Sequence, residues 1–280
     1  VIPYDLIITA AARPALLLPT LQSLLAHVDQ PPERILIHDD AVDPDRWEET
    51  KEVVSSALRL RPNLQVVLHH AAPPRRLGGA LRWLLANVRT EYVLYSQDDH
   101  VVVRPLPVTA ALATLHAYNL HQIRFNKRAT LAFKETWQGR WYKREVDAYG
   151  ATPLTVSDHW YFQTGVWRAQ PLHAAIEWLH ANSTRRAILQ EVQAEEAINH
   201  VMDGRFGPIP GLTIPSRHAA DPGVRRTVQR TFIWGPIGED RYIRHIGGER
   251  PTSDHARDGG VDEEAKAWRE IRSYQEDPKP

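Results

Sequence analysis

Two neighbouring carboxylates, Asp98 and Asp99, close the stretch EYVLYSQDDH at residues 91–100. Ahead of them Tyr92, Val93, Leu94 and Tyr95 form a continuous apolar run, which suits a central parallel strand covered on both faces. Open α/β sheets place their ligands beyond the C-terminal ends of such strands. Aspartates there offer hard oxygen ligands to Mg²⁺ or Mn²⁺, and an ion held that way neutralises a diphosphate. Paired aspartates also start turns and cap helices, so this pair alone does not separate a metal site from a turn.

Three further groups have the same placement. Thr9 to Arg13 follow the strand-like DLIITA, Asp39-Asp40 end RILIH, and Arg75-Arg76-Leu77-Gly78-Gly79 follow LQVVL and a Pro-Pro break. Aspartates accept from base or ribose N–H and O–H groups, while arginine and free backbone N–H groups bind phosphate. Together these pieces describe a site for a nucleotide diphosphate. A nicotinamide site is disfavoured because no G-x-G-x-x-G follows the first strand, and no P-loop is present.

The elements that would carry these groups alternate regularly. Asp5–Ala10, Arg34–His38, Leu64–Leu68 and the run before Asp98 read as four strands. Between them lie three helices. Leu17, Leu21, Leu24, Leu25 and Val28 recur at helical spacing in the first, with Pro19 expected near its first turn. Pro44 opens a charged second helix to about Leu60, and Ala80 to Val88 is the third. Strands alternating with helices predict a mostly parallel, doubly wound α/β sheet with its ligand loops at one edge.

Composition bounds the rest. No apolar run approaches the roughly 18 to 20 residues that span a bilayer, and the strand-like N-terminus lacks the basic region of a signal peptide. There are no cysteines, which excludes disulfides and thiolate metal sites. The expectation is a soluble, cytoplasmic protein. The net charge is zero, yet residues 1–120 carry −2, residues 121–250 carry +5 and residues 251–280 carry −3. An anionic partner is therefore expected along the middle section.

DLIITAAARP, the gap to RILIHDD, the Arg-containing loop and TEYVLYSQDDH, taken in order and spacing, resemble the donor half of family-2-like glycosyltransferases of the GT-A fold. The resemblance covers roughly the first 105 residues. It implies a nucleotide-diphosphate sugar as donor and Mn²⁺ or Mg²⁺ as cofactor. It places Thr9 and Arg13 beside the nucleotide, Asp39 against the base with Asp40 next to it, and Arg76 near base or phosphate, with Gly79 in the same loop. QDDH stands where the family has its D-x-D metal motif, with Asp99 as the direct ligand. Gln97 departs from the first acid of that motif, and Asp98 is its substitute.

Residues 106–250 would then form the acceptor half, with a smaller mixed sheet, and residues 251–280 a polar C-terminal tail. His121 to Glu145 interleaves seven Lys and Arg with Phe125, Phe133, Trp137, Trp141 and Tyr142; IRFN and TLAF read as strands there. Aromatics stack on sugars or bases and cations take phosphates. An ordinary mixed sheet with a basic solvent face has the same composition. Ser157 to Arg168 reads as a strand and turn re-entering the site, with Gly165 allowing close backbone approach.

Thr184 to Met202 reads as a helix on which Glu195 and Glu196 share the arc of Ile188, Leu189, Val192 and Met202. Acids on an apolar face need a partner or a function. The resemblance makes Glu196, the second of the pair, the catalytic base; a salt bridge to Arg185 or Arg186 is the structural alternative. It also implies a C-terminal histidine in the metal shell, for which His245 is preferred to His218 and His255.

These readings converge on a metal-dependent, inverting glycosyltransferase acting on a saccharide or other small hydroxyl acceptor. A hydroxylated base in DNA is the alternative acceptor, favoured by the basic, aromatic middle section. A sugar-phosphate nucleotidyltransferase shares the architecture but needs a Gly-rich basic loop where AAARP stands. A non-catalytic nucleotide-sugar-binding module is compatible with Gln97. No membrane span is expected.

Overall fold

The computed structural model describes residues 1–41, 43–59, 61–71, 75–126, 142–143, 154–157, 162–182, 231–235 and 241–246. The chain divides into Val1–His245 and a short unit, Ile246–Pro280. The first contains β1 (Tyr4–Ala10), α1 (Pro14–His27), β2 (Arg34–Asp39), α2 (Pro44–Leu58), β3 (Gln65–His70), α3 (Arg76–Asn87), β4 (Tyr92–Gln97), β5 (His100–Val102), α4 (Val108–Ala117), β6 (Gln122–Phe125), β7 (Tyr142–Lys143), β8 (Leu154–Ser157), β9 (Gly165–Arg168), α5 (Ala169–Asn182), β10 (Thr231–Trp234) and β11 (Ile243–His245).

Nine strands form one sheet in the order β3-β2-β1-β4-β9-β6-β10-β8-β7. The β3-β2-β1-β4 half is parallel, as the alternation of strands and helices predicts. β9 then runs antiparallel to both β4 and β6. The mixed strands of the second half thus extend the same sheet. A separate two-stranded ribbon pairs β5 with β11.

Strand alternation sorts the side chains into two cores. Tyr4, Leu6, Ile8, Ile35, Ile37 and Leu94 pack with α1, α2 and α4 on one face. Ile7, Leu36, Val93 and Tyr95 pack with α3 and α5 on the other. Strands buried on both faces explain the unbroken apolar runs. Among the described residues, no helix is long and apolar enough to cross a membrane.

Several boundaries differ from the sequence expectation. α1 starts at Pro14, which puts Pro19 inside the helix. α3 starts at Arg76 and runs through Gly78-Gly79. At Gly79 a methyl group would meet the Arg75 Cβ at 2.7 Å, so the glycine lets the Arg75 side chain lie against the helix. TLAF lies outside the described residues, as do residues 183–230, which include Glu195, Glu196 and His218, and residues 247–280, which include His255.

Gly165 sits opposite Tyr95 on one side and Arg124 on the other. A methyl group there would lie 2.6 Å from the Arg124 Cα and the Ile123 carbonyl oxygen. Both are backbone atoms of a central strand and cannot swing away. Gly165→Ala is expected to cost about 1–3 kcal/mol by overpacking, read as a lower urea midpoint.

Candidate active site

The parallel register brings the predicted residues to one edge. Ala10 pairs with Asp39, Thr9 with Gln97 and Asp39 with His70, so these strand ends are level. The loops leaving β1, β2 and β4 therefore open side by side. Thr9 is almost fully buried, and its hydroxyl meets the Tyr95 hydroxyl at 3.0 Å.

Three consecutive residues of the β1–α1 loop are held by two carboxylates, Asp39 at the end of β2 and Asp98 in the turn after β4. The Ala11 N–H donates to Asp98 Oδ2 at 3.0 Å, the Ala12 N–H to Asp39 Oδ1 at 2.7 Å, and Arg13 Nε to Asp98 Oδ2 at 3.1 Å. Arg13 Nη2 also contacts Asp98 Oδ1, making the pair bidentate. Ala12 adopts φ 55°, a left-handed conformation unusual for a residue with a side chain. The clamp holds it there. Burial pushes the Asp98 carboxyl up to about 6, against the opposing pull of Arg13. Burial also acts to lower the Arg13 guanidinium, but Asp98 and Asp99 together hold it above its ordinary value.

Asp39 is fully buried, and its second oxygen accepts from the Thr50 hydroxyl at 2.6 Å. In this structure its partners are a loop and a helix. Asp39→Ala would strand a buried hydroxyl and a loop N–H, at an expected cost of about 1–3 kcal/mol in chemical denaturation. Asp39→Asn is expected to recover most of it, because an amide accepts from Ala12 and donates to Thr50.

Asp40 lies beside it with 15% of its side chain exposed. It accepts from the Arg75 N–H at 2.9 Å and contacts His38 Nε2 at 2.9 Å. His38 Nδ1 lies 2.9 Å from His69 Nδ1, and the His69 ring stacks on Trp83 at 4.1 Å. Burial, with His38 and Arg75 adding to it, lowers His69 to about 4, so its imidazole is neutral at neutral pH. Arg76 is exposed at the start of α3 with φ 56°.

Gln97 donates its amide to the Phe162 carbonyl at 2.9 Å, a bond an ionised aspartate at that position could not make. Asp98 and Asp99 form the turn between β4 and β5. Thr20 of α1 ties that turn down, donating to the Asp98 carbonyl at 2.8 Å.

Asp99 is 4% exposed. Its Oδ2 lies 3.1 Å from Arg13 Nη2 and 3.1 Å from His245 Nε2. Its Oδ1 is buried with no hydrogen-bond partner among the described residues. Asp5, at the other end of β1, shows the usual pattern: Arg34 and the Arg89 N–H engage both its oxygens. Asp99, His100 and His245 each offer a ligand atom, and the three atoms lie within 4.8 Å of one another. A buried carboxylate oxygen lacking a donor, beside two imidazoles, fits a divalent cation.

Asp99 and His245 thus meet, although β4 and β11 are far apart in the chain. His100 was not among the residues singled out from sequence. Its one signal in the sequence is its position next to Asp99; the pairing that sets it opposite His245 is not legible there.

No family model and no curated protein matches the sequence. Solved structures do match. TarS of S. aureus superposes with a TM-score of 0.50 at 13% identity, over 88% of this chain and 37% of that one. The architecture is therefore that of the GT-A fold. The 1–349 portion of TarS in complex with UDP-GlcNAc gives a TM-score of 0.48 at 13% identity, over 88% of this chain and 61% of that one. The mannosyltransferase PcManGT of Pyrobaculum calidifontis, in complex with GDP-Man and Mn²⁺, gives 0.46 at 14% identity, over 80% and 60%. The chain spans 37 to 61% of the length of these structures.

Proposed function

We propose that this chain is a glycosyltransferase that moves a sugar from a nucleotide-diphosphate sugar to an acceptor hydroxyl. The observation that carries the reading is Asp99. It is a buried carboxylate at the ligand edge of a GT-A sheet, with one oxygen lacking a hydrogen-bond partner among the described residues and His245 3.1 Å from the other. Asp99 and His245 would hold Mn²⁺ or Mg²⁺, which when bound neutralises the charge gathering on the departing diphosphate.

The chain's own residues do the remainder. Thr9, Asp40, Arg76 and Gly79 would frame the corner for base and ribose, with Asp39 beneath it holding the Ala12 N–H of the β1–α1 loop. Asp98 fixes Arg13, whose guanidinium lies beside Asp99 and would meet the diphosphate there. Glu196, with Glu195 beside it in sequence, takes the acceptor hydroxyl proton as that oxygen bonds to the anomeric carbon. The bond from that carbon to the diphosphate oxygen breaks in the same step, and its electron pair leaves with the diphosphate. This outcome is inverting. The acceptor is a saccharide or other small hydroxyl compound; the net charge of +5 over residues 121–250 and the aromatics among its cations support a hydroxylated base in DNA as the second acceptor class.

The test is a screen of nucleotide sugars for hydrolysis with and without Mn²⁺. The preferred donor is then offered saccharide and hydroxylated-DNA acceptors. Metal-dependent release of a nucleoside diphosphate is expected with at least one donor. Absence of both turnover and binding across the donor set would sink the reading.

A further inference from the structure

We infer that His100 is a third metal ligand, and that the resulting two-imidazole, one-carboxylate set makes the site select first-row transition metals over Mg²⁺. The inference rests on the reading of this edge as a metal-dependent donor site.

Adjacent residues of one strand point to opposite faces, so Asp99 and His100 would not share a site on a continuous strand. Here Asp99 lies in the β4–β5 turn and His100 is the first residue of β5, which brings the two side chains together. β11 pairs antiparallel with β5 and sets His245 directly opposite His100. Directly opposed residues project from the same face of a ribbon. The two rings accordingly meet edge to face, with centroids 5.6 Å apart.

The distances suit one ion. His245 Nε2 is 3.1 Å from Asp99 Oδ2, and His100 Nε2 is 3.8 Å from Asp99 Oδ1. Bonds of about 2.0–2.2 Å place two ligand atoms on one ion no more than about 4.4 Å apart. Arg13 also approaches Asp99 Oδ2, while the buried Oδ1 has no hydrogen-bond partner among the described residues, so the carboxylate can offer a cation either oxygen.

The far side of the His100 ring is also built for ligation. Its Nδ1 lies 3.0 Å from the Thr164 hydroxyl, which lies 2.9 Å from the Ser96 hydroxyl, and all three residues are fully buried. With Nδ1–H donating to Thr164 and Thr164 donating to Ser96, the Nε2 lone pair faces Asp99. Ligating histidines are held in this way by a partner on the other ring nitrogen.

The donor set then determines the ion. Mg²⁺ takes oxygen ligands and keeps several waters, so two of these three ligands are wrong for it. Imidazole favours the later transition metals, giving the order Mg²⁺ below Mn²⁺ below Co²⁺.

The experiment uses the full chain, stripped with chelator and titrated with Mg²⁺, Mn²⁺ and Co²⁺ by calorimetry. Electron spin-echo spectroscopy of the Mn²⁺-loaded protein counts the coordinated imidazoles. Expected are two histidine nitrogen couplings and Co²⁺ binding far tighter than Mg²⁺. His100→Asn should lose one coupling and at least about tenfold in Co²⁺ affinity, with Mg²⁺ nearly unchanged. A single coupling in the wild-type protein, or Mg²⁺ binding as tightly as Co²⁺, overturns the inference even if the variant does not fold. The proposed function fails differently, by the absence of turnover and binding with every nucleotide sugar.

Discussion

Asp99→Ala is expected to bring sugar transfer to background while leaving the fold in place. The stability cost stays small because Arg13 keeps its bidentate contact with Asp98, so no buried cation is stranded. The oxygen that is lost is the one described carboxylate oxygen on this edge shown to be buried without a donor. Removing one electrostatic group from a reacting site costs about 10² to 10³ in rate, and removing a metal ligand should cost at least that much. Affinity for a nucleoside diphosphate measured in Mn²⁺ should fall to the level that wild-type protein shows in EDTA. Near-wild-type turnover by the variant, with EDTA inert on both proteins, would remove the metal from the account.

The donor half was legible because its physics is local. β1, β2 and β4 are buried on both faces, so their apolar runs are unbroken and their polar ends mark the ligand edge. The boundaries slipped where polar residues extend a strand. β3 continues past the expected end at Leu68 through His69 and His70, which stack against Trp83 and Trp47. The start of α3 was hidden by Gly78-Gly79, which looked like a phosphate loop and are helical. In the second half the decisive contacts are non-local. β9 inserts antiparallel between β4 and β6, and β11 returns to β5. No period or propensity announces such pairings.

The site divides along the same line. That carboxylates and arginine share an edge follows from alternating strands and helices. Which carboxylate serves which partner does not. The resemblance sets Asp98 and Asp39 at the ligand edge but says nothing of the contacts their oxygens make to Ala11, Ala12, Arg13 and Thr50. A residue's partner across three strands depends on the path of a loop, here one fixed by a left-handed Ala12. His100 went unassigned because its role depends on the ribbon that pairs it with His245.

Glu196→Gln is expected to collapse transfer while donor binding and metal dependence persist. Glu195 and Glu196 lie outside the described residues, so the assignment rests on the sequence. Read as a helix, the sequence would put the pair on the arc of Ile188, Leu189, Val192 and Met202, where an acid needs a partner or a function. The second acid also matches the base position of the resembling glycosyltransferases. Glutamine keeps the shape and hydrogen-bonding reach but cannot take a proton. A general base contributes about 10² to 10⁴-fold, so the transfer rate should fall by that factor at unchanged donor KM. Glu195→Gln should be milder. The assay must follow transfer to an acceptor, because water attacking the donor has less need of the base. A dead Glu195→Gln beside an active Glu196→Gln would move the role one residue along the helix. Normal transfer by both variants would remove the pair, leaving Asp158, also outside the described residues, as the next acid to test.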